Sequence, residues 1–286
     1  MAIDVVIKQK LLGGKTMPLE VILGKHLQYG NFVNDQLNVG ELGEREFVAY
    51  DPNCIGRGFS VVWNPQEKRR IVLRLPMPST AVELREFYDA VARMAEYWDA
   101  RLTVDGNRIQ LADFLAGFGD MVKFNNNAIR EFFVQALEEN HTLSIYSAMW
   151  PLSIGREEVT RFAENPDYFT QWLHEKQTVD AYFATPRFYM SDNGVYARYI
   201  LTNNMPAVLP LHPAVPFGAT DPTTGQQLEC EDWGMILVID GEKVPLCEME
   251  YASFLEKLPN HKKTKFDADR FLLDALTEDE LRSFAK

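Results

Sequence analysis

Gly56-Arg57-Gly58 is the clearest candidate for holding an anion. Its flanking glycines leave backbone N–H groups unshielded, and the guanidinium adds a fixed positive charge. The same residues also suit a turn arginine engaged in an ordinary salt bridge. Glu229-Cys230-Glu231-Asp232 is the densest ligand-type cluster, and Cys247-Glu248 can approach it. Thiolate mixed with carboxylate is zinc chemistry, but no histidine or second cysteine completes the set locally. His26, His141, His174, His212 and His261 include no pair at the i, i+4 spacing of a zinc helix. The sequence therefore predicts no metal site and no cofactor. Leu12-Gly13-Gly14-Lys15-Thr16 ends like a phosphate-binding loop, yet the first glycine of that pattern is replaced by Gln9. A Gly-x-Ser-x-Gly nucleophile elbow is missing, and abundant carboxylates in an acidic chain select no acid–base couple.

The elements that must position these residues are written in hairpin and helix signals. Trp63, the turn Asn64-Pro65-Gln66-Glu67 and Arg70–Leu75 lead into a helix from Thr80 to Trp98. Thr80 and Glu83 form a capping box, and Phe87, Val91, Met94 and Trp98 lie on one apolar face, predicted to cover a sheet. Leu102–Val104, Asp105-Gly106 and Arg108–Gln110 repeat the pattern before a helix opening at Leu111. Met235–Ile239, Asp240-Gly241 and Lys243–Leu246 repeat it again before Tyr251–Leu258. The helix after Leu111 is predicted to break at Asn125-Asn126-Asn127. Leu19–Leu23 reads as a strand paired across Gly13-Gly14 with Ile3–Lys8. Asn165-Pro166 reads as an N-cap followed by proline at the first helical position. Tyr182–Met190 and Val195–Leu201 flank Asn193-Gly194 as a hairpin with alternating aromatics. Thr277 and Glu280 form a second capping box near the end.

Asn203–Gln226 has a different character, holding Pro206, Pro210, Pro213, Pro216 and Pro222. Proline removes backbone donors and fixes φ, so the segment is predicted to be an ordered surface loop without central strand. Its apolar residues, together with Arg57 and His212, make Leu209, Leu211 and Phe217 candidate contacts for a partner or ligand.

The 286 residues carry 29 basic and 41 acidic side chains, a formal charge of −12. Such a chain is repelled by phosphate backbones, which argues against nucleic-acid binding. Its longest apolar runs fall short of a membrane span. Three cysteines without a CxxC pair argue against a disulfide framework, and Asp4 and Lys8 interrupt the N-terminus too early for a signal peptide. These features predict a cytoplasmic protein bound neither to nucleic acid nor to membrane.

Leu23-Gly24-Lys25-His26-Leu27-Gln28-Tyr29-Gly30, Asn53 through Trp63, Arg85-Glu86-Phe87-Tyr88 to Tyr97-Trp98, and Phe254–Pro259 to Phe271-Leu272-Leu273 carry a resemblance across nearly the whole chain. In these strings the protein resembles a bacterial domain family of unknown function, found mainly in Gram-positive bacteria. The resemblance implies no catalytic residues.

The combined reading is an α+β fold: an antiparallel sheet of hairpins with helices packed on one face. Two lobes, 1–150 and 151–286, or a single domain over 1–286, both fit. The functional expectation is a non-catalytic protein that binds another protein. The alternative is a small-molecule hydrolase or transferase with carboxylates in a cleft between lobes.

Overall fold

A computed structural model describes residues 1–10, 14–33, 35–66, 68–139, 142–191, 194–216, 219–221 and 224–285. The fold is mixed α+β and divides into two compact units, Met1–Thr178 and Val179–Lys286. The 151–155 segment, where the two-lobe reading divides the chain, lies inside the first unit.

In the first unit the elements are β1 (Ala2–Lys8), α1 (Leu19–Leu23), β2 (Gln28–Val33), β3 (Gln36–Val39), β4 (Glu46–Tyr50), β5 (Phe59–Val62), β6 (Arg70–Pro76), α2 (Ala81–Trp98), β7 (Arg101–Val104), β8 (Asn107–Ile109), α3 (Leu111–Ala116), α4 (Phe118–Glu139), β9 (Leu143–Tyr146), β10 (Pro151–Ile154), α5 (Arg156–Glu164) and α6 (Pro166–Gln177). Eight strands form one sheet in the order β3-β2-β4-β5-β6-β1-β7-β8, each neighbouring pair antiparallel. Period-two alternation sends Ile3, Val5 and Ile7, with Ile71, Leu73 and Leu75, into the core. There they meet the stripe of α2, and Phe87, Val91, Met94 and Trp98 are all buried in one cluster with them, as the heptad-like spacing requires. Thr80 caps α2 through the reciprocal bonds of the box.

Three local expectations are corrected here. Leu19–Leu23 is a helical turn, not a strand. Pro18 stands at its N-cap, and Gly24, at φ +66°, closes it by donating to Glu20 O at 2.9 Å. A short apolar run carries no period of its own, so the flanking proline and glycine decide. Gly13 of the expected turn lies outside the described residues, and the expected partner Ile3–Lys8 pairs with β6 and β7 instead. Asn125-Asn126-Asn127 sits inside continuous α4, and the break falls at Gly117 instead. Thr142–Met149 has the sequence character of a strand ending at Pro151, but Pro151 instead opens β10, which pairs with β9. The Asn165 cap holds, its side chain accepting from Asp167 N at 3.1 Å.

In the second unit the elements are β11 (Tyr182–Phe183), β12 (Arg187–Ser191), β13 (Gly194–Thr202), β14 (Ala207–Pro210), β15 (Asp232–Val238), β16 (Cys247–Glu250), α7 (Tyr251–Lys257), β17 (Lys263–Lys265), β18 (Arg270–Leu273) and α8 (Glu278–Phe284). They form two four-stranded sheets, β11-β14-β18-β17 and β12-β13-β15-β16. Each contains one parallel pair, β11 with β14 and β13 with β15, alongside its antiparallel ones. Tyr199, Leu237, Tyr251, Phe254 and Phe284 belong to the core. The β12–β13 hairpin sets Ser191 opposite Gly194, with Asp192 and Asn193 of its turn outside the described residues.

Two expectations fail in this unit. Asp240-Gly241 does form a turn, Glu242 N donating to Ile239 O at 3.0 Å, but not a two-residue hairpin: β15 pairs with Cys247–Glu250 and not with Lys243–Leu246. Pro245 supplies no ladder donor at that position. Ala207–Pro210, inside the proline-rich stretch, is a strand flanked by β11 and β18. Its prolines bracket the strand: Pro206 uses only its carbonyl, accepting from Tyr182 N at 2.9 Å, and Pro210 is the final residue.

Candidate functional site

The Gly56-Arg57-Gly58 motif is built into the interior of the first unit around one carboxylate. Glu83, 4% exposed, accepts from Gly58 N at 2.5 Å, Ser79 Oγ at 2.6 Å and Thr80 N at 3.0 Å. A Cβ added at Gly56 would stand 2.2 Å from the Glu83 carboxyl carbon, so only glycine lets the loop lie against it. Arg57 donates through Nε to Tyr146 O and through a terminal nitrogen to Pro78 O, both at 2.9 Å. Loss of hydration lowers its pKa to about 10, while the nearby Glu83 charge works in the opposite direction.

Neighbouring elements secure the same loop. Gln177 of α6 donates to Gly56 O at 2.6 Å and accepts from Met149 N at 2.9 Å. His174 Nδ1 accepts from Ile55 N at 3.1 Å. Asn125 of α4 accepts from Ser79 N at 2.8 Å and donates to Ser79 O at 2.7 Å, replacing a backbone partner on both sides. These bonds give Arg57 a structural setting: its placed donors serve main-chain carbonyls within the unit.

The remaining expected contacts scatter. Leu209 is fully buried in β14, which removes it as a contact residue: its side chain completes the core. Leu211 is 43% exposed and His212 is exposed. Phe217 lies outside the described residues. In the acidic cysteine cluster, Asp232 and Glu248 both engage Arg198, at 2.9 and 2.5 Å. Cys54, Cys230 and Cys247 are free, and burial raises the pKa of each thiol.

Two features escape a reading of the sequence. His26, Asp51 and Glu86 each present a ligand atom within 4.8 Å of the other two. His26 Nε2 and Glu86 Oε2 lie 2.7 Å apart. The three residues come from three separate segments, so no local spacing marks them. The second feature is an open groove of about 420 Å³ between α4 and α5. Val134, Leu137, Val159 and Ala163 line it with apolar surface, and Glu138, Glu164 and Arg156 add charge. A surplus of apolar residues on α4 is its only sequence signal: Phe124, Phe132 and Val134 remain exposed beside a full core face.

An eight-stranded antiparallel sheet carrying a long capped helix, joined to a second α+β unit, defines a two-unit α+β protein. The chain belongs to the DUF4299 family, a domain of unknown function whose family model matches residues 2–284. No curated protein and no solved structure matches it. Among the described residues, no helix is long and apolar enough to cross a membrane.

Proposed function

We propose that this is a non-catalytic interaction protein of the bacterial cytoplasm, mainly of Gram-positive cells, whose protein partner docks a basic amphipathic segment into the α4–α5 groove. The supporting observation is the groove itself: it is open, lined by the apolar Val134, Leu137, Val159 and Ala163, and carries Glu138 and Glu164 beside a single Arg156. Exposed apolar surface rimmed by charge is the signature of a docking surface, whereas an enzyme gathers several polar groups in an enclosed pocket. The chain's charge of −12 favours a basic partner by long-range attraction. Three free thiols suit a reducing compartment.

Selection of displayed helical peptides against the full chain tests this reading. Sequences with apolar residues at i, i+3 and i+4 flanked by Lys or Arg should be enriched. Val134→Asp, at an exposed position, should weaken their binding at least tenfold, and Glu138→Lys with Glu164→Lys should reverse the charge preference. Enriched peptides that bind both variants as tightly as the parent chain would place the docking surface elsewhere.

A further inference from the structure

We propose that His26, Asp51 and Glu86 form a binding site for a first-row divalent metal ion of the Zn²⁺ type. One imidazole with two carboxylates is a mixed nitrogen and oxygen donor set, which suits zinc and its neighbours better than the all-oxygen shells of calcium or magnesium. Two carboxylates and a neutral imidazole balance the charge of a divalent ion. Three protein ligands leave coordination positions for water, and the exposed His26 ring provides access.

The fold sets all three ligands in place. Strands β2 and β4 run antiparallel with Gln28 opposite Tyr50, so the chain entering β2 and the chain leaving β4 meet at one end of the sheet. His26 lies on the first and Asp51 on the second. Tyr50 Oη donates to Gln28 Oε1 at 2.9 Å and ties the two strands there. Glu86 projects from α2, and the same helix fixes the turn that carries His26. Its Arg93 donates to Ile22 O at 2.9 Å and to Val21 O at 3.3 Å. Gly24 packs so closely on that guanidinium that an added Cβ would lie 3.0 Å from its carbon. Asp51 is held in turn, its Oδ1 accepting from Asn53 N at 2.9 Å and Asn53 Nδ2 at 3.1 Å. Ligands oriented by outer hydrogen bonds on rigid elements are what selective metal binding requires. Ion entry replaces the 2.7 Å His26–Glu86 contact by metal bonds of about 2.0–2.2 Å to each residue.

The test uses the full chain freed of metal by chelation, titrated with Zn²⁺ against a chromophoric competitor and, separately, with Co²⁺. One equivalent should bind, and Asp51→Asn and Glu86→Gln should each weaken it at least tenfold while leaving the metal-free circular dichroism spectrum unchanged. The Co²⁺ form should show d–d bands without thiolate charge transfer. Absence of uptake, uptake unaffected by both variants, or a thiolate band assigning the ion to cysteine would each overturn the proposal. A variant with an altered metal-free spectrum is replaced by His26→Gln, judged on the same affinity.

Discussion

The two units open helices with the same local device and use it differently. Thr80 and Glu83 cap α2; Thr277 and Glu280 cap α8, each by reciprocal side-chain and backbone bonds. Glu83 is 4% exposed, and beyond the cap its carboxylate takes the Gly58 amide and the Ser79 hydroxyl and sits near the Arg57 charge. The Glu280 side chain is 37% exposed and adds an ion pair with Lys262 at 2.8 Å. A capping carboxylate at the surface secures one helix end. Buried, the same carboxylate becomes the fixed point on which a loop, a turn and an arginine depend, because each donor it leaves behind would have no water to replace it.

That contrast predicts its largest effect at Glu83. Glu83→Gln should destabilise the first unit by about 3 kcal/mol in urea unfolding, since the amide nitrogen then faces a buried donor that the carboxylate had satisfied. Glu280→Gln should shift the midpoint far less, and equal shifts would break the comparison. An intermediate effect is expected at Gly56, where the methyl of Gly56→Ala must displace the loop from Glu83. Overpacking of this kind costs about 1–3 kcal/mol. The same urea titration measures it, and an unchanged midpoint would mean that the carboxylate is not held against the loop.

The smallest effect concerns pH. The Lys262 ammonium, with the Thr277 amide, lowers the Glu280 pKa from 4.5 to about 2. The folded chain thus prefers the charged carboxylate. Its contribution is present above the ordinary value and is lost as pH falls from about 4.5 through about 2. Lys262→Met should bring the Glu280 titration, followed by NMR, back toward the ordinary carboxylate range. At an exposed site the accompanying change in acid stability should be slight. A Glu280 titration unchanged by the substitution would assign the shift to the cap alone.

Local chemistry was enough to specify much of this protein. The capping residues of α2, α6 and α8, the apolar face of α2 and the β7–β8 hairpin at Asp105-Gly106 each follow from interactions within a few residues, and the structure contains them all. Two expectations fail because distant segments compete for the same backbone. Asn125 has the residue type of a helix breaker, but its amide satisfies Ser79 across the fold, and the helix runs on. Ala207–Pro210 is proline-flanked, yet β11 and β18 supply partners on both sides and bury Leu209. The candidate sites belong to the same class. The α4–α5 groove exists only once the helices pack, and His26, Asp51 and Glu86 become neighbours only through the β2–β4 register and the placement of α2. Sequence spacing encodes contacts along one element; convergence of side chains from several elements is decided by the tertiary structure that brings them together.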